Sequence, residues 1–288
     1  MLIAQITDIH VGFEPNNPDE YNQKRLANVL QHVLHGPNKP DLMLVTGDLT
    51  ERGDVESYAR LKELLADCPC PWYPIVGNHD NRTNFSRALP DVPTPGGFVQ
   101  YVVDQGGLRL IFLDTLEEGR HGGAFCEVRA AWLSERLAEA PDVPTVLVMH
   151  HPPIDVGIDW MRTHRNEPWV ARFAATIEGH KQVRAILTGH LHRPIVSQWK
   201  GTTVAICPAS APGVALDLRP MDPEAPDLRP MVVADMPGYA LHWWDAGELV
   251  TMFDFAEDPV PLAKFDSRMQ GLVKHLMIDE RPGADGHH

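Results

Sequence analysis

The chain reads as an α/β protein, and two observations predict it. Short apolar runs of strand character alternate with stretches whose apolar residues recur at helical spacing, and five of those runs end in residues of metal-ligating type. Residues 2–7 lead into Asp8-Ile9-His10, residues 42–46 into Gly47-Asp48, and residues 72–76 into Gly77-Asn78-His79-Asp80. Residues 146–149 lead into His150-His151, and residues 185–188 into Gly189-His190-Leu191-His192. In an open α/β sheet, ligands gather beyond the carboxyl ends of the strands. Polar groups at five such ends therefore converge, although they span most of the sequence.

The elements follow in order. Residues 2–7 form a central strand, and Asp8-x-His10 then offers an oxygen and a nitrogen on one side of extended backbone. Residues 19–34 carry Leu26, Val29, Leu30, Val33 and Leu34 on one face and form a helix over the sheet; His32 and His35 on it are read as solvated or packed rather than ligating. Strand 42–46 delivers Asp48, and a helix over residues 55–65 follows. After Asp80 the chain is loop-like through Pro90, Pro93, Pro95 and Gly96-Gly97, and residues 98–103 and 108–113 then make a β-hairpin.

The glycine-rich segment from Glu117 to Gly123 either borders the pocket or is an ordinary surface loop. A helix over 127–139 precedes strand 145–149, where Pro152-Pro153 stiffen the backbone behind His150-His151. A helix over 169–177 and a strand over 183–187 lead to His190-x-His192, which repeats the same-side spacing of the first motif. Strands 194–199 and 203–206 belong to a second sheet. The proline-rich run 208–237 changes character, with strands at 214–218 and 239–244; no internal repeat is evident.

Composition limits the function classes. With 288 residues, 43% hydrophobic and 22% charged, the chain can bury a large core as one domain, or as one domain with an accessory piece. No apolar run approaches the roughly 18 residues of a membrane helix, so nothing spans a bilayer. A strand starting at Leu2 leaves no room for a leader, and a cytoplasmic protein is expected. Four cysteines are too sparse for a disulfide framework, and Cys68-Pro69-Cys70 lacks the two-residue spacer of a redox or zinc pair. A formal charge of −14 argues against long nucleic acid. A small phosphate ester instead feels the local field of bound ions.

Asp8, His10, Asp48, Asn78, His150, His190 and His192 offer only oxygen and imidazole nitrogen. That set suits Mn, Fe, Zn or Co, and the lack of thiolate argues against a structural zinc knot. Seven side chains are too many for one ion. If one carboxylate bridges, they divide into two groups of four, the content of a two-metal centre, and Asp48 is the natural bridge. Two adjacent ions would activate a bridging hydroxide for in-line attack on phosphorus. His79 then serves the leaving group as general acid or electrostatic partner, unless it only orients a ligand from behind. Asp80 is expected to orient an imidazole.

These motifs, in this order, resemble the ordered set of the calcineurin-like metallophosphoesterases over residues 1 to about 200. The resemblance implies a four-layer α/β/β/α sandwich with a dinuclear centre, for which iron and manganese are favoured. It assigns Asp8, His10, Asp48 and His192 to one ion, and Asp48, Asn78, His150 and His190 to the other. Gly77-Asn78-His79-Asp80, His150-His151-Pro152-Pro153 and the proline-rich tail are similar to those of bacterial class III cyclic nucleotide phosphodiesterases and related glycerophosphodiesterases.

The expected reaction is hydrolysis of a 3',5'-cyclic nucleotide. A glycerophosphodiester, a 2',3'-cyclic nucleotide or a phosphomonoester is the alternative within the same chemistry, and a non-catalytic scaffold is a remote one. The expected organisation is a catalytic core over 1–207, a cap and oligomerisation segment over 208–245, and a strand and tail over 246–288 that complete the core. A homodimer or higher homo-oligomer is expected. Met231, Val232, Val233, Trp243 and Trp244 are expected to be covered, and the closing His287-His288 is read as the remnant of a tag.

Overall fold

A computed structural model describes residues 1–17 and 19–280; the terminal histidine pair lies outside the described residues. The chain order is β1 (Leu2–Ile6), α1 (Tyr21–His35), β2 (Leu42–Thr46), α2 (Val55–Leu64), β3 (Trp72–Ile75), α3 (Arg82–Ala88), β4 (Tyr101–Gln105) and β5 (Leu108–Leu113). Then come α4 (Glu127–Glu139), β6 (Thr145–Met149), α5 (Pro168–Ile177), β7 (Val183–Thr188), β8 (Ile195–Trp199) and β9 (Thr202–Ile206). β10 (Gly213–Val214), β11 (Val232–Val233), β12 (Gly238–Asp245) and β13 (Glu248–Phe255) complete a compact unit running from Met1 to Ala256.

Two sheets form. One has the order β13-β12-β1-β2-β3, with β1, β2 and β3 parallel and β12 antiparallel to β1. The other has the order β4-β5-β6-β7-β9-β8, with a parallel centre. Period-two burial shows how they stack. Leu110, Phe112, Val146, Val148, Ala185 and Leu187 join the same apolar cluster as β1, β2 and α1. Their neighbours Ile111, Leu147, Met149 and Ile186 pack instead with Leu133 and Leu137 of α4 and Phe173 of α5. The second sheet thus has one face on the first sheet and one under helices, which is the expected α/β/β/α sandwich.

The elements depart from expectation in specific places. Helix α3 falls in a stretch read as loop: the Asn81 side chain caps it by accepting from the Asn84 N–H, and Phe85 anchors it in the core. The strand expected over 214–218 shrinks to Gly213–Val214 paired with Val232–Val233. Pro220, Pro223, Pro226 and Pro230 supply no N–H, so a longer ladder cannot form between these arms. The arm from Gly213 to Asp235 also contains a repeat that the sequence reading passed over. Asp217-Leu218-Arg219-Pro220-Met221 recurs as Asp227-Leu228-Arg229-Pro230-Met231, and in each copy the guanidinium closes on its own aspartate.

Strand β12 is an interior strand, between β1 and β13. Trp244 is buried and donates its indole N–H to the Gly106 carbonyl. Met231, Val232 and Trp243 remain 42%, 60% and 48% exposed, so one chain alone does not give them the expected cover. The described residues from Glu257 to Glu280 belong to a separate unit, which contains a short helix α6 (Gln270–Lys274).

Candidate metal centre

The ligand-type residues occupy the turns after β1, β2, β3, β6 and β7. Five of them, Asp8, His10, Asp48, His190 and His192, have φ of 50°, 53°, 47°, 72° and 53°. Left-handed backbone is uncommon for such residues and clusters at functional sites. The turns also come close together: a Cβ on Gly77 would stand 2.3 Å from Asp48 Oδ1, and one on Gly189 would stand 2.0 Å from Thr7 Oγ1. Only glycine fits at either place.

The donor atoms face one another. His192 Nε2 lies 3.3 Å from Asp8 Oδ1 and 3.3 Å from His10 Nε2, and His10 Nε2 lies 3.7 Å from Asp48 Oδ2. On the other side, His150 Nε2 lies 3.3 Å from the same Asp48 Oδ2 and 3.9 Å from Asp8 Oδ1. The rings of His150 and His190 are 5.3 Å apart. Asp48 Oδ2 therefore stands between the two groups, while its Oδ1 accepts the His79 N–H at 2.8 Å. Asp8, Asp48, His150 and His190 are buried.

Three of the imidazoles are oriented from behind. His10 Nδ1 bonds Glu51 Oε2 at 2.8 Å, His150 Nδ1 donates to the Thr46 carbonyl at 2.8 Å, and His192 Nδ1 donates to the Pro212 carbonyl at 2.7 Å. Nε2 is then the atom presented to the centre in all three. Buried His150 Nε2 and Asn78 Oδ1 have no hydrogen-bond partner among the described residues. Such atoms are costly in a protein interior unless something else coordinates them, so the donor set fits divalent ions. Among the described residues, four overlapping groups could hold an ion: Asp8 with His10 and His192; Asp8 with Asp48 and His150; His10 with Asp48 and His79; and His150 with His151 and His190.

Electrostatics agree. Burial alone would raise Asp48, but His150, His10 and His79 outweigh it and hold the carboxyl well below its usual range. Burial likewise opposes protonation of His150, yet Asp48 and Asp8 raise it to about 9. A cation at Nε2 would displace that proton. Burial and neighbouring imidazoles push His190 and His151 far down, leaving them neutral.

His79 stands edge-on to His10, with ring centroids 4.6 Å apart, and donates Nδ1–H to the Glu51 carbonyl at 2.9 Å. Asp80 departs from its expected role. Its carboxylate accepts from the N–H groups of Leu49, Thr50 and Gly77 and from the Tyr58 hydroxyl. It therefore ties the turn after β2 to the turn after β3, and no described imidazole is its hydrogen-bond partner. Glu51 does the orienting that was assigned to Asp80; it follows Asp48 by three residues, and nothing in a lone glutamate after a strand end marks it out. His32 bonds the Asn28 carbonyl within its own helix, and His35 is exposed. The glycine-rich loop does border the site: its His121 ring lies 4.7 Å from that of His190.

Fold and centre together define a metal-dependent phosphoesterase class, and comparison with known proteins agrees. The family model described as calcineurin-like phosphoesterase matches residues 1–194, so the chain belongs to that family. It is 31% identical over 250 residues to a protein of Arcobacter nitrofigilis named "Probable glycerophosphodiester phosphodiesterase GpdQ", covering 85% of this chain and 89% of that one. It is 40% identical over 185 residues to a "Probable cyclic nucleotide phosphodiesterase" of Rhodopseudomonas palustris, covering 62% and 67%. The crystal structure of a dimetal phosphatase from Danio rerio shares the fold, with a TM-score of 0.64 at 12% identity over 90% of this chain and 97% of that one. Among the described residues, no helix is long and apolar enough to cross a membrane.

Proposed function

We propose that this chain is a dinuclear metallophosphodiesterase acting on a small diester, and that the diester is a 3',5'-cyclic nucleotide. The observation that carries the reading is the cage in which Asp48 Oδ2 faces both His10 and His150, while buried Asn78 Oδ1 has no hydrogen-bond partner among the described residues. Asp8, His10, Asp48 and His192 would hold one ion, and Asp48, Asn78, His150 and His190 the other, iron and manganese being favoured. When bound, such a pair supplies Lewis acidity to water and to the ester oxygens. The protein groups do the rest. His79, with Nδ1–H committed to Glu51, has Nε2 left to carry a proton to the departing alkoxide. The carbonyls of Thr46 and Pro212 and the carboxylate of Glu51 hold the other rings still.

The arm from Gly213 to Asp235 belongs to the same proposal. Val214 accepts from Arg193, beside His192, and Met221 N–H donates to Asp159 in the loop beyond the His150 turn. Set there, the arm would contact the part of the diester that is not phosphate. It would also contribute to a homodimer contact through half-exposed Met231 and Val232. Metal analysis followed by turnover of bis(p-nitrophenyl) phosphate tests the class, and a chain with neither metal nor turnover ends it. A panel of cyclic AMP, cyclic GMP, glycerophosphocholine and a monoester tests the substrate. A glycerophosphodiester is the second reading, favoured by the Arcobacter relative, whose similarity extends over most of both chains. Higher kcat/KM for glycerophosphocholine than for either cyclic nucleotide would select it.

A further inference from the structure

Gln5 lies in the middle of β1, fully buried in a strand otherwise lined by Ile3, Ala4 and Ile6. Its side chain reaches across both sheets. The amide nitrogen is 2.9 Å from Thr46 Oγ1 at the end of β2 and 3.1 Å from the Thr188 carbonyl at the end of β7. A carbonyl only accepts, so the assignment of this atom as nitrogen is forced, and Oε1 is left as an acceptor. It takes the Nε2–H of His242 on β12 at 3.0 Å, and His242 Nδ1 lies 2.9 Å from the Thr251 hydroxyl on β13. Burial depresses His242 to about 3, so the ring stays neutral, as this pattern requires.

The three anchor points are not arbitrary. Gln5 stands three residues before Asp8, Thr46 two before Asp48, and Thr188 two before His190. Thr46 also offers its carbonyl to His150 Nδ1. Asp8, His10, Asp48 and Asn78 come from the first sheet, and His150, His190 and His192 from the second, so either ion would draw donors from both sheets. Apolar contact between sheets is non-directional and tolerates small sliding. Hydrogen bonds at 2.9 Å and 3.1 Å do not. An amide in this position also costs desolvation that an apolar side chain would avoid, so packing alone does not explain it.

We propose that Gln5 is a positioning residue that sets the offset of the two sheets beneath the centre and thereby allows both ions to be held together. The inference rests on the dinuclear reading above, and the test separates the two. In Gln5→Met the amide is replaced at similar volume, but His242 Nε2–H is left buried and unpaired, so stability falls as well. In Gln5→Met combined with His242→Phe both polar partners leave, and thermal stability should return to near that of the parent chain.

The measurement is Mn(II) titration of the full chain, followed by electron paramagnetic resonance and by chelator competition. The parent should bind two ions with an exchange-coupled spectrum. The stable double variant should bind the second ion about 10–100-fold more weakly and show mainly isolated Mn(II), the range that groups behind metal ligands command. Two ions at parental affinity with a coupled spectrum in the double variant would overturn the proposal. A parent chain that takes only one ion would instead overturn the dinuclear reading. Should the double variant not fold, Thr46→Val removes only the hydroxyl that Gln5 reaches on the first sheet. A weakened second site is expected there too, and unchanged affinity counts against Gln5.

Discussion

In the proposed dinuclear centre Asp48 is the residue on which both halves would depend, because one oxygen faces His10 and His150 alike. Asp48→Asn should therefore abolish turnover, whereas changes at His32 or His35 on α1 should leave it intact. Near-normal kcat with two metals bound in Asp48→Asn would remove the bridge. His79→Ala should keep both metals and lose about 10²–10⁴-fold in kcat, the range of general acid catalysis. The loss should shrink for a p-nitrophenolate leaving group, which scarcely needs the proton. Metal lost with the side chain would make His79 a ligand, which the grouping with His10 and Asp48 also allows. His242 offers a pH test. Its proton is bound below 6.5 in the unfolded chain but only below about 3 in the folded one. Its contribution to stability is complete above pH 6.5 and declines as pH falls toward about 3. In chelator, His242→Phe should show a shallower acid-side loss of Tm than the parent. All seven ligand candidates stood out in the sequence because each follows a strand. Gln5 and Glu51 did not, because their role lies in what they touch across 183 and 41 positions of chain.

At the scale of elements, strands and helices were legible wherever burial has a clear period, as in β2 and α4, which begin and end where the pattern says. Helix α3 was not, because a single buried Phe85 gives no period and its capping Asn81 looks like loop chemistry. The left-handed turns were not legible either, since Asp8, His10 and His192 are not glycine and nothing local demands positive φ there. The arm is where a test at this scale belongs. Arg25 of α1 donates to the carbonyls of Ser210, Ala211 and Asp235, so the stem is clasped independently of its tip. Replacing residues 216–231 by a short Gly/Ser linker should preserve both metals and turnover of bis(p-nitrophenyl) phosphate. It should lower kcat/KM for the physiological diester and shift the mass in light scattering toward monomer. If all three properties stay unchanged, the arm serves neither substrate nor assembly.

Taken whole, the molecule places its centre at the seam between two sheets, and removal of metal should be felt by both. At ion concentrations ~100-fold above Kd, one bound ion adds about 2.7 kcal/mol of stability. For a unit of this size that corresponds to a Tm about 5–10 °C lower in chelator, measured by calorimetry. An unchanged Tm would mean that the folded chain binds no ion more tightly than the unfolded chain does. The seam also bears on the order of events in folding. The His190 N–H meets Asp8 across 182 positions of chain, and His150 meets the Thr46 carbonyl across 104. Loops of that length close late and slowly, so no early intermediate can present a complete donor set. An ion arriving at a half-folded chain would find Asp8, His10 and Asp48 on one piece and the other imidazoles on another. Metal should therefore leave the refolding rate almost unchanged and act on the unfolding rate, as a latch closed after assembly rather than a nucleus that starts it.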